Sequence, residues 1–423
     1  MTAASSGQAP EPKRILILGG GFGGIRAALD LAAHDLPNVR IILISDKHHF
    51  GYTPALYKLA TGRSPMETCI PLGEIFEGRK KGRVEFVVDA ITSGSLADKT
   101  IIGESGSRYQ YDYLILALGA ETSYFNIPGI AENSFTLKSV GTALRLKNHL
   151  HYLFNNHSGL SKGELMSHFQ FVVVGGGPAG VELAGEIRRY ARMLARMHGV
   201  SQKLVTVTIL QATPRLLGMM PEKVSELAMQ KLDKLGVNII LNRAVTSEDA
   251  QGVYLKDIKF NSKTIIWTAG VHPSHIYSSI LGLALDKSGK ILVDEHLRVL
   301  NAGGAFAIGD SASTPFAGTA QTAIYDGSYA AHAIARMIKG QALPAYKPKK
   351  VPYVVPIGRD WAIFTYKNIA LSGRLFWWLR QIIDFRYFLS ILPFGKAFTV
   401  WREGGVLCES CPTCRLAEEE NRA

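Results

Sequence analysis

The sequence predicts an α/β protein with two doubly wound, Rossmann-like domains, one inserted in the other, and a C-terminal segment of different composition. Three observations carry this. A short apolar run leads straight into a glycine cluster twice, at 14–24 and at 169–180. Each cluster is followed by a stretch of helical composition and then by a second apolar run, the β-α-β order of a parallel sheet. Two later segments, Tyr111–Ala120 and Thr264–Val271, each run an apolar strand into a glycine turn, one after each cluster.

With 423 residues, 47% of them hydrophobic, the chain exceeds one ordinary core and suggests two to three domains. Its 42 glycines are clustered rather than periodic, and no low-complexity tract occurs. Three of the four cysteines, Cys408, Cys411 and Cys414, fall in the tail, and Cys69 is alone in the body. No disulfide framework is expected, which fits a reducing compartment. The small, polar lead-in Met1–Arg14 is expected to be disordered. The apolar run Ile15–Leu18 is too short for a signal-peptide core. No uninterrupted apolar stretch is long enough for a transmembrane helix.

In the first cluster, Gly19, Gly21 and Gly24 satisfy G-x-G-x-x-G directly after Arg14–Leu18 and before an Ala- and Leu-rich helix. The first glycine permits the turn, the second lets backbone approach a pyrophosphate, and the third lets helix pack on strand. The helix N-terminus then offers free N–H groups to phosphate. Asp46, just past the second apolar run Val39–Ile44, is the expected acceptor for a ribose hydroxyl. The alternative is a merely glycine-rich strand–helix turn.

The second cluster repeats the pattern with Gly175, Gly177 and Gly180 after Phe169–Val174. At the end of its second run, Leu204–Leu210, stands Gln211 rather than an acid. A carboxylate there would repel a 2′-phosphate, whereas glutamine accommodates either form, and Arg215 could pair with the phosphate. NADH, NADPH or both are therefore allowed; the alternative is a neutral replacement without effect on preference. Two such units imply two dinucleotides, one held tightly and one exchanging, which is how hydride passes through a flavin.

The order of motifs resembles the two-dinucleotide-binding flavoproteins related in fold to glutathione reductase. Within them the chain is most similar to type II NADH dehydrogenases, the single-subunit NADH:quinone oxidoreductases. The residues that carry this are Phe50–Tyr57 (FGYTPALY), Gly180–Glu186 (GVELAGE), Trp267–Val271 (WTAGV) and Gly309–Asp310, and the similarity runs from Lys13 to Trp401. The resemblance implies FAD as cofactor, NADH or NADPH as co-substrate and a quinone as acceptor. It implies that Gly309 and Asp310 bind the ribityl and pyrophosphate region of FAD. Thr53, Pro54 and the Thr319–Ala323 turn, with Ala320, would sit near the isoalloxazine. Ala117, Gly119 and Gly270, in the strand-end turns, would join the cofactor-binding set. Glu182 would lie where nicotinamide meets flavin and quinone, although a charged residue just inside a helix is ordinarily a solvated one.

Two departures matter. The quinone-side pattern A-Q-x-A-x-Q reads Ala320-Gln321-Thr322-Ala323-Ile324-Tyr325, so Gln321 keeps its place and Tyr325 replaces the second glutamine. Tyrosine can stack on or hydrogen-bond to a quinone, and Glu182, Gln321 and Tyr325 form the expected catalytic set. The related sulfide:quinone oxidoreductases match the 45–54 region about as well, but they need a cysteine pair beside the flavin, and Cys69 has no partner in the body. A soluble reductase serving a protein acceptor such as ferredoxin, or a redox-sensing flavoprotein, are the other classes.

The expected domains are an FAD-binding domain in two parts (13–138 and 291–345), an inserted NAD(P)-binding domain (139–290), a C-terminal membrane-associating or dimerisation region (346–407) and a Cys-containing tail (408–423). Most of the net charge of +12 is concentrated between Tyr346 and Arg402, where ten basic residues face two acids and four of the five tryptophans occur. Such a surface suits an anionic membrane; nucleic acid is the rival, and the glycine motifs argue against it. Leu375, Trp378, Leu379, Ile382, Phe385 and Leu389 recur at helical spacing, with Arg380, Gln381, Asp384 and Tyr387 opposite. The expectation is a helix lying in the interface on the cytoplasmic face of the membrane, the alternative one packed on its own domain or in a homodimer. Three tail cysteines could bind zinc, but no fourth ligand follows, and no metal site is expected.

Overall fold

The computed structural model describes residues 11–34, 36–76 and 84–407. The expectations for most of the N-terminal lead-in and for the tail cysteines lie outside the described residues. Both glycine clusters stand between a strand and a helix. The first joins β1 (Lys13–Leu18), α1 (Phe22–Ala33) and β2 (Val39–Ser45). The second joins β3 (Gln170–Val174), α2 (Pro178–Met197) and β4 (Thr206–Leu210).

By packing, the chain divides into two units: residues through Phe50 with Pro71–Glu121 and His272–Lys350, and Gly51–Ile70 with Thr122–Val271 and Val351 onward. The first unit holds a five-stranded parallel sheet ordered Ala305–Ala307, Tyr113–Leu116, β1, β2, Val84–Val88. The unbroken apolar run in β1 follows from burial on both faces. Ile15 and Ile17 pack with Ala27, Ala28 and Leu31 of α1 and with Ala330 and Ile334 of α3 (Ala320–Ile338). Leu16 and Leu18 face Tyr111, Tyr277 and Ile280 on the other side. Helices α1 and α3 touch backbone to backbone: a Cβ on Gly327 would lie 2.3 Å from the Gly23 carbonyl oxygen.

The second unit repeats the sheet, ordered Phe135–Thr136, Thr264–Trp267, β3, β4, Val237–Ile240. Its core also takes in the short helix Leu56–Ala60. Leu56, Tyr57, Leu59 and Ala60 are all buried among Ala143, Leu146, Ile187 and Tyr190. Residues 51–70, read from the sequence with the first dinucleotide domain, therefore pack in the second unit. This unit also contains an antiparallel sheet over 353–373 and two helices, α4 (Arg374–Ile391) and α5 (Phe394–Gly404).

The orientation of α4 is inverted relative to an ordinary surface helix. Asp384 is 1% exposed and Arg380 is mostly buried, while Leu375 (72% exposed), Ile382 (60%) and Trp378 (54%) face outward. Among the described residues no helix is long and apolar enough to cross a membrane.

Candidate cofactor cradles and a buried charge cluster

The two cradles match atom for atom where the backbone turns. Gly19 and Gly175 have φ of +110° and +112°, and their N–H groups donate to the carbonyls of Ile44 and Leu210, both at 2.8 Å. A Cβ on Gly24 or Gly180 would sit 1.9 Å from the carbonyl oxygen of Gly19 or Gly175. A Cβ on Gly21 or Gly177 would meet no protein atom, which leaves room for a phosphate against the N-terminus of α1 or α2. Both cradles fit a dinucleotide pyrophosphate.

In the first unit, Gly19 lies against Ala117, whose carbonyl oxygen a Gly19 Cβ would approach to 2.3 Å. The Gly119 N–H donates to Ser311 Oγ (3.2 Å), just past Gly309 and Asp310. The Gly309 N–H donates to the fully buried Asp326 (3.0 Å), which also accepts from the Tyr346 hydroxyl (2.6 Å). Burial pushes the Asp326 carboxyl above its usual range. This turn rests on the start of α3, where a Cβ on Gly309 would lie 3.0 Å from the Ala323 Cβ. Ala320 and Gln321 open that helix, and Thr319 caps it by accepting from the Thr322 N–H (3.1 Å). The Tyr325 ring is covered by Lys349, whose Nζ lies 4.2 Å from the ring centroid, and packs against Tyr346.

Shared hydrogen bonding also fixes which positions correspond. Because Ile44 and Leu210 accept the same bond, Ser45 matches Gln211 and Asp46 matches Ala212. Asp46 thus lies one position beyond the match to Gln211; it is exposed and paired with Lys47 (3.0 Å). Gln211 is committed on both sides: its Oε1 accepts from the Gly176 N–H (2.7 Å) and its Nε2 donates to Thr213 Oγ1 (2.6 Å). Beside it lies a cavity of about 180 Å³ lined by Phe125, Val174, Gly175, Gln211, Arg243 and Trp267 among others. Gly270, after the strand Thr264–Trp267, accepts from the Ser123 N–H (3.3 Å). Arg215, expected to pair with a 2′-phosphate, instead donates to the Gly218 carbonyl (2.7 Å) and does not line the cavity; Arg243 does.

Glu182, in the second turn of α2, is buried rather than solvated. Its burial pushes the carboxyl up to about 8, against the opposing pull of the Arg380 guanidinium 3.9 Å away. Arg380 donates to Asp384 Oδ1 (2.9 Å) and to the carbonyls of Val354 and Pro54 (both 3.1 Å). Thr53 is exposed in the same turn as Pro54. The Tyr52 hydroxyl donates to Asp384 Oδ1 (2.6 Å). Lys58 donates to Glu67 (2.6 Å) and lies 3.7 Å from Asp384 Oδ2. Burial also raises the Glu67 carboxyl. Three buried carboxyl groups therefore face two cations, and the cluster keeps a proton near neutrality, with Glu182 placed to hold it. Sequence reading missed Lys58, Glu67, Arg380 and Asp384. The available signal was the Arg380–Asp384 pair, one turn apart on α4.

The pattern of the pyridine nucleotide-disulphide oxidoreductases matches residues 13–327. The type II NADH:quinone oxidoreductase Ndh of Mycobacterium tuberculosis (strain ATCC 25618 / H37Rv) is 30% identical over 406 residues, covering 90% of this chain and 86% of that one. The chain belongs to the type II NADH:quinone oxidoreductase family. In fold it is similar to NDH2 of Plasmodium falciparum in complex with NADH (TM-score 0.83, 19% identity, 93% of this chain and 98% of that one). It is also similar to the sulfide:quinone oxidoreductase of Aquifex aeolicus (TM-score 0.74, 20% identity, 92% of each chain). Tyr325, which stands where the expected pattern has a second glutamine, is held by the Lys349 and Tyr346 contacts. A sulfide reaction through a dithiol has no support among the described residues: Cys69 is their one cysteine, and burial raises its thiol above the usual range, away from the reactive thiolate.

Proposed function

We propose that the chain is an FAD-dependent type II NADH:quinone oxidoreductase, taking hydride equivalents from NADH and passing two electrons to a membrane quinone. The observation that carries this is the pair of matched cradles in a chain that aligns over 86% of a type II NADH:quinone oxidoreductase. FAD, when bound, supplies the two-electron carrier between nicotinamide and quinone.

The chain's own groups then divide the work. Gly19, Gly21 and Gly24 hold the FAD pyrophosphate at the N-terminus of α1, and Asp310 accepts from a ribityl hydroxyl. Asp46, Ala117, Gly119, Gly309 and Ala320 would line the same nucleotide. Gly175, Gly177 and Gly180 hold the NADH pyrophosphate, and Gln211 and Gly270 border its adenosine and nicotinamide ends. Glu182 holds a proton for the quinone side, because its burial keeps the carboxyl protonated up to about pH 8. Gln321 and Tyr325 border the acceptor.

In this reading the region 346–407 binds the cytoplasmic face of a membrane. Leu375, Trp378, Ile382, Phe394 and Phe398 are exposed on α4 and α5, with Arg374, Arg386 and Lys396 exposed on the same two helices. That combination of apolar and basic groups suits an anionic bilayer surface. A homodimer through the same region is the second arrangement. Quinol formation from NADH and a short-chain quinone tests the activity. Co-sedimentation with anionic vesicles that weakens in salt supports the membrane site, and a dimer that ignores vesicles supports the other.

A further inference from the structure

Resting on the NADH reading, the cavity beside Gln211 points to a wider choice of co-substrate. The positions that match Ser45 and Asp46 of the first unit are Gln211 and Ala212, both lining the cavity and both uncharged. Neither residue repels a 2′-phosphate. Gln211, with Oε1 on the Gly176 N–H and Nε2 on Thr213, is held as a neutral wall.

Arg243 is the one charged side chain among the described residues that line the cavity. It is carried there by backbone. Its N–H donates to the Gln211 carbonyl (3.1 Å), and the preceding Asn242, in the left-handed region at φ +58°, donates its N–H to the Thr213 carbonyl (3.2 Å). Arg243 thus sits beside the carboxyl end of β4, where an adenosine ribose meets a dinucleotide fold. Its ionic partner is Asp257, 3.4 Å away, with the two side chains 45% and 51% exposed. A solvated pair of this kind is weak. A phosphate dianion is a better partner for a guanidinium, since it accepts two charge-assisted bonds in the fork geometry.

We propose that Arg243 receives the 2′-phosphate of NADPH, displacing Asp257, so that the chain uses NADPH as well as NADH. Arg243 is then the residue that sets the balance between the two nucleotides.

The test is anaerobic stopped-flow reduction of the full-length, flavin-loaded protein by each nucleotide, in the parent, Arg243→Ala and Asp257→Asn. The parent is expected to be reduced by both. Arg243→Ala should lower the second-order rate constant with NADPH by about 10- to 100-fold, the size expected for losing charge-assisted bonds, and affect NADH at least tenfold less. Asp257→Asn, which frees Arg243, should raise the rate with NADPH. A flavin-independent readout is equilibrium binding of adenosine 2′,5′-bisphosphate against 5′-ADP, where Arg243→Ala should weaken only the former. Reduction of the parent by NADH alone overturns the proposal and leaves the NADH reading intact, as does an equal loss with both nucleotides in Arg243→Ala. Reduction by neither nucleotide overturns both.

Discussion

The two nucleotide units share a backbone and differ in what surrounds it. Their first glycines have φ within two degrees of each other, and their third glycines leave the same 1.9 Å gap for a Cβ. Beyond the turn they part. In the first unit, α1 is closed off by α3 through Gly23 and Gly327, and the second strand ends in Ser45 and Asp46. In the second, the helix carries Glu182 into a cluster of buried charges, and the second strand ends in Gln211 and Ala212 beside Arg243. In the proposed function the glycines hold a pyrophosphate, and the residues past the second strand and the walls of the helix set which dinucleotide is bound and to what end.

The largest expected effect comes from breaking one cradle at a time. Gly24→Val and Gly180→Val each force a side chain into a carbonyl oxygen. The first should yield protein without bound flavin. The second should keep its flavin colour but lose reduction by NADH by more than about 100-fold, as expected when a nucleotide is displaced from its attack geometry. Absorbance and stopped-flow reduction distinguish them, and loss of flavin in both variants would dissolve the contrast.

The charge cluster of the second unit is the next point of pressure. Asp384→Ala removes the buried carboxylate that Arg380 and Tyr52 share and should cost about 3–5 kcal/mol, read from chemical denaturation. Replacing Arg380 and Asp384 together with apolar residues should cost less than Asp384→Ala alone. A loss no smaller in the double variant would mean that the pair itself is not what matters.

Glu182→Gln sharpens the comparison through pH. The folded carboxyl is pushed up to about 8 and the unfolded one is ordinary, so the folded state binds the extra proton between those values. Stability contributed by this group therefore falls as pH rises toward about 8, and the glutamine variant should lack that fall. Quinone reduction in the parent should likewise decline as pH passes about 8. In Glu182→Gln it should be lower by about 100-fold, within the usual range for a lost proton donor, and flat across that limb. A parent-like decline in the variant would assign the titration elsewhere, with Glu67 the next candidate.

The smallest effect concerns the outward face of α4. Ile382→Ser and Trp378→Ser change exposed side chains and should alter stability by no more than about 0.5 kcal/mol, yet weaken binding to anionic vesicles. Unchanged vesicle binding in the double variant would remove that face from the membrane.

The cradles were legible because glycine sterics are local: three residues and a strand before them suffice. Asp46 was chosen by counting from the last glycine, while the strand hydrogen bonds count from Ile44 and match Ser45 to Gln211. Arg243 was not legible, since it reaches Gln211 only through the loop after the strand Val237–Ile240. The stripe on α4 was read correctly as a helix, but which side faces inward is a tertiary property. Arg380 and Asp384 look like a solvated face until Tyr52, Lys58 and Glu182 close around them. The same holds for 51–70, whose buried helix meets its partners far along the chain.

The central claim is that one chain brings a nicotinamide donor and a flavin together and hands the electrons to a quinone. Single-turnover stopped-flow tests it most directly. The account predicts that NADH bleaches the flavin of the purified protein and that a soluble quinone, added anaerobically, restores it one for one. A colourless protein that cannot be reconstituted with FAD, or a bleached flavin that no quinone reoxidises, would contradict it.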